Sequence, residues 1–70
     1  MGRRSIIRRA RRLGWQTAMT GIEDTEAPLL AALTRGDAMG QTVPLRWIDL
    51  YAQEYGRAYH AAVRAWERWS

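Results

Sequence analysis

Seventy residues with a net charge of +4, seven acids and no cysteine exclude disulfides, thiolate metal sites and cysteine nucleophiles. At this length the chain forms one domain with a small core, the size at which a partner or second copy often completes a fold. All eleven basic residues are arginine; six of them fall among the first twelve residues, and the first acid is Glu23. No apolar run approaches the length of a membrane span.

The chain reads as an all-α, small three-helix domain with a long C-terminal helix, a helical hairpin or bundle completed by dimerisation or a partner. Residues 1–70 are one domain, divided into an Arg-rich first helix (1–20), a short helix (24–35) and a long helix (43–69). In the first helix Ile6, Ala10 and Leu13 share one face, with Ile7 beside them and the arginine pairs over the rest of the circumference. Gly14 is either the end of this helix or an interior glycine; Trp15 and Ala18 continue the turn, which favours a helix to about Thr20 with Gly21 as its stop. Asp24 or Thr25 is placed to cap the second helix, Glu26 suits its first turn, and Leu29, Leu30 and Leu33 form its apolar stripe before Gly36.

In the third helix Thr42 is a cap and Pro44 falls in the first turn. Leu45, Ile48, Ala52, Tyr55, Tyr59, Ala62, Trp66 and Trp69 recur in steps of three and four, a heptad-type seam. Ala52 and Gly56 form a small-xxx-small step suited to a close backbone approach. Residues 44 to 69 would span about 39 Å at 1.5 Å per residue, against a diameter near 28 Å for a compact globule of this length. The helix should therefore overhang its domain by about two turns. Trp66 and Trp69 would then be anchors for a partner or a second copy, or else caps on the core beside Ile6, Ala10 and Leu13.

Chemistry along the chain points to binding. His60 is the only imidazole and has no carboxylate one helical turn away, so neither a metal nor another cofactor is expected. Ser5 and Ser70 are terminal, no phosphate loop is present, and an enzyme is not expected. Arg3, Arg4, Arg8, Arg9, Arg11 and Arg12 repel one another, and with no acid nearby in sequence they are expected to need an external anion. Together with Trp15, able to stack on an unpaired base, they are the candidate nucleic-acid-binding residues for DNA or RNA backbone. An acidic protein surface is the alternative partner. Trp47, Tyr55, Tyr59, Trp66 and Trp69 are the candidate partner or homodimer interface.

The stretch Arg8-Arg9-Ala10-Arg11-Arg12 with Trp15 resembles the arginine-rich RNA-binding peptides of phage antiterminators. The likeness covers about a dozen residues, rests on arginine density and one tryptophan, and departs from that pattern at Ile6 and Ile7. The expected function is that of a small basic accessory or regulatory protein of a phage or mobile element, cytoplasmic in a bacterial host or virion-associated. A non-catalytic inhibitor, adaptor or virion component docking through the third helix is the alternative.

Overall fold

The computed structural model describes residues 2–21, 26–36 and 40–69. They form α1 (Arg3–Met19), α2 (Glu26–Arg35), a single 3-10 turn (Leu45–Trp47) and α3 (Ile48–Trp69). No strand occurs among the described residues. The caps expected at Asp24 or Thr25 lie outside them.

Packing, more than local electrostatics, holds α1. Its cap Gly2 is extended and supplies no side chain, and its first turn carries no acid, so the arginines sit at the end where the helix dipole disfavours them. What α1 gains is burial of Ile6, Ala10, Gly14 and Thr17 on a face of three- and four-residue spacing. The helix runs through Gly14. It ends where the Thr20 N–H donates to the Gln16 carbonyl (3.0 Å) and Gly21 turns to φ 72°.

A Cβ on Gly14 would lie 2.5 Å from the Tyr55 carbonyl oxygen and 2.9 Å from the Tyr59 nitrogen. The backbones of α1 and α3 therefore meet at Gly14. The small-xxx-small step at Ala52 and Gly56 is not the contact: a Cβ on Gly56 would have no neighbour within 4 Å.

Residue pairs advance together along the two long helices. Arg11 meets Glu54, Gly14 meets Tyr55, Ala58 and Tyr59, and Ala18, Met19 and Gly21 lie beside Trp66. Hence α1 and α3 run in the same direction, and the segment containing α2 carries the chain back between them. The arrangement is a three-helix bundle, with α2 contributing buried Ala32 and half-buried Leu29 and Leu33 to a core of Ile6, Ala10, Val43, Tyr51 and Tyr55. Leu30, expected in the stripe of α2, is exposed. The inward-facing positions 29, 32 and 33 leave it on the flank.

The start and the facing of α3 differ from expectation. Pro44 is extended (ψ 143°), and the helix is entered through the 3-10 turn, whose Trp47 N–H donates to the Pro44 carbonyl at 2.9 Å. Leu45 is thereby turned out of the seam and is 87% exposed. The buried stripe of α3 is Tyr51, Glu54, Tyr55, Ala58 and Ala62. Only Tyr55 and Ala62 of the expected seam are buried; Ile48, Ala52 and Tyr59 are half-buried on its flank. Because α1 presents a glycine and an alanine, it seats closely on the ridge that carries Ala58 and Ala62.

The molecule measures 37 × 21 × 18 Å with a radius of gyration of 11.8 Å. At 1.5 Å per residue α3 is about 33 Å long, and since α1 reaches the level of Trp66 the overhang is about one turn, half that expected. Trp66 is 65% and Trp69 88% exposed. Neither caps the core beside Ile6, Ala10 and Leu13, because both lie at the opposite end of the bundle.

Candidate nucleic-acid interface

The burial of one side of α1 sorts its arginines. At 100° per residue, Arg4, Arg8, Arg11 and Trp15 follow one another at steps of four, three and four, forming a single outward row. Arg4, Arg8 and Arg11 line a shallow groove with Ile7, and Arg12 stands beside the row. Trp15 is 41% exposed at the C-terminal end of it. Arg9 points to the other flank, where its Nη2 donates to the Gln41 carbonyl at 2.7 Å.

The expectation that the chain offers this block no counter-charge is corrected at Arg11. Glu54, on the buried stripe of α3, accepts from Arg11 Nε at 3.3 Å through Oε2. Its other oxygen lies 4.0 Å from Arg57 Nη1. The Glu54 side chain is only 8% exposed, whereas the two guanidinium-bearing side chains are largely in solvent. Two cations thus hold one buried carboxylate from outside. Arg3, Arg4, Arg8 and Arg12 make no ion pair among the described residues.

The aromatic residues divide as well. Tyr55 is buried between the helices and presents nothing to a partner. Tyr59 is half-buried and meets the exposed His60 ring edge-on, with centroids 5.7 Å apart. Trp47 is half-buried against the core, with the Arg46 guanidinium 5.4 Å from its ring. Of the five candidate interface residues, Trp66 and Trp69 alone are exposed.

Two features escaped sequence reasoning. Glu54 was legible as an acid three residues after Tyr51 and four before Ala58, inside the apolar face. A row of Arg57, Arg64 and Arg68 on α3 was legible from the same three-and-four spacing through Ala61. Among the described residues no cluster of three His, Asp or Glu side chains suited to a metal comes together, and no helix is long and apolar enough to cross a membrane. No protein-family model matches the chain, and no curated protein or solved structure is detectably similar to it.

Proposed function

We propose that this is a small basic accessory protein that contacts nucleic-acid backbone without sequence preference through the outward face of α1. The observation that carries the reading is the position of Arg4, Arg8 and Arg12: exposed, without ion pairs among the described residues, and next to Trp15. Like charges one helical turn apart destabilise a helix by about 0.2–0.5 kcal/mol per pair, and cations at its N-terminus oppose the dipole. The fold gains nothing from this arrangement, while a polyanion would be attracted to it. We place the protein in a phage or mobile element, acting in a bacterial cytoplasm or a virion, on the resemblance of Arg8-Arg9-Ala10-Arg11-Arg12 with Trp15 to the arginine-rich peptides of phage antiterminators.

Four phosphate contacts, from Arg4, Arg8, Arg11 and Arg12, imply a slope of about −3.6 in log affinity against log salt on duplex DNA. Affinity should fall at least about 150-fold between about 50 and 200 mM salt. The combined Arg4→Ala, Arg8→Ala and Arg12→Ala variant should lose most of that dependence while keeping its helical content. Binding indifferent to salt, or unchanged in the variant, would remove the proposal.

A second reading is favoured by Trp66 and Trp69, exposed where α3 runs past the end of α1. Exposed indoles at one end of a small domain suit a protein partner or a second copy. Solution mass measured over a range of concentrations tests the second copy: a dimer that Trp66→Ala with Trp69→Ala converts to monomer supports it. A monomer at all concentrations excludes it.

A further inference from the structure

We propose that the anion-binding face is two helices wide and takes a single strand of nucleic acid along a track that begins on α1 and ends on α3. The inference rests on the nucleic-acid reading above and adds residues, path and ligand form to it.

Glu54 links the two helices' basic rows. Arg11 from α1 and Arg57 from α3 reach opposite oxygens of the same carboxylate, so the outward row of α1 and the Arg57 row of α3 adjoin on one side of the bundle. On α1 the row is Arg4, Arg8, Arg11 and Trp15; on α3 it is Arg57, Arg64 and Arg68, all exposed. Because the helices are parallel and Arg11 is level with Glu54, the α1 row occupies one half of the long axis. The α3 row occupies the other. Taken in order, they run for about 30 Å at 1.5 Å per residue, most of the 37 Å length of the molecule. The flank of α1 that carries Arg9 is tied to Gln41, on the side away from the track.

The shape of the track selects the ligand. A nearly straight line of cations on a convex two-helix surface touches a duplex strand over a short arc, because that strand winds away around its own axis. A flexible single strand can follow the whole line. Trp15 lies in the row itself, where an unpaired base can stack on it and a paired base cannot. Glu54 at the crossover repels phosphate, which directs the strand along the guanidinium groups instead of between the helices.

The test uses a thymidine oligonucleotide of about 20 nucleotides and a mixed-sequence duplex of about 20 base pairs, titrated across salt concentrations. Six arginine contacts on a single strand give a slope near −4. Arg64→Ala with Arg68→Ala removes two cations that make no ion pair among the described residues, so the thermal midpoint should hold while the slope falls by about 1.4. Trp15→Ala should weaken the single strand about tenfold and leave the duplex unchanged. Salt-dependent binding that ignores the α3 substitutions, or that prefers the duplex, overturns the track and leaves the α1 reading standing. No salt-dependent binding to either probe overturns both.

Discussion

Replacing Gly14 with leucine is expected to abolish the folded state, and replacing it with alanine to cost up to about 2 kcal/mol. In a helix interior alanine is ordinarily better than glycine by about 1 kcal/mol, so the sign of the alanine result is informative. Here the added methyl would meet the Tyr55 carbonyl oxygen at 2.5 Å, the Tyr59 nitrogen at 2.9 Å and the Ala58 methyl at 2.9 Å. Two of those three are backbone atoms of α3, which cannot rotate aside. The helices would have to separate, and overpacking of this kind costs about 1–3 kcal/mol before the propensity gain is subtracted. Leucine adds three more carbons at the same point, against a total stability of only about 3–5 kcal/mol for a core of this size. Gly56→Ala is the control, since open space surrounds that position; it should raise stability by about 1 kcal/mol. Chemical denaturation of the three variants decides the matter. Equal stabilisation by alanine at both positions would mean that the helices do not meet closely at Gly14.

Much of this fold was legible from spacing alone, and what was not depended on which helix seats on which face. The helical class, the continuation of α1 to Met19 and the buried Ile6 and Ala10 follow from local pattern, because three- and four-residue periodicity reports a face directly. The seam of α3 was shifted because two overlapping apolar rows exist there. One runs through Ile48, Ala52, Tyr59 and Trp66, the other through Tyr51, Tyr55, Ala58 and Ala62, and only the latter accepts the glycine of α1. Leu45 and Trp69 belong to the periodicity and not to the core, since the 3-10 turn alters the phase at one end and α1 stops short at the other. In the candidate site the exposed arginines and Trp15 were legible as types in a pattern. Their division was not, because Glu54 is 43 residues from Arg11 in sequence, and only the parallel packing of α1 on α3 brings the two together.

Removing Arg11 and Arg57 together should destabilise the protein by about 3 kcal/mol, although each is a largely exposed side chain. Exposed ion pairs are ordinarily worth less than about 1 kcal/mol, so a loss of this size must come from the other member. That member is Glu54, whose carboxylate is almost entirely out of solvent and would be left buried with neither guanidinium beside it. The reverse deletion should be mild: in Glu54→Gln both guanidinium groups simply rehydrate, and the loss should stay near or below about 1 kcal/mol. Adding Glu54→Gln to the Arg11→Ala and Arg57→Ala background should then recover most of the stability. The same substitution should act oppositely on ligand affinity. With both arginines intact, Glu54→Gln releases two cations from an internal competitor and removes one negative charge from the middle of the basic face. Single-strand affinity at about 100 mM salt should rise about fivefold, as expected for about 1 kcal/mol of relieved repulsion near a protein surface. Paired denaturation and binding curves on these four proteins test both halves. If Glu54→Gln is as damaging to the fold as loss of the two arginines, or leaves affinity unchanged, then Glu54 serves packing alone and exerts no restraint on the basic face.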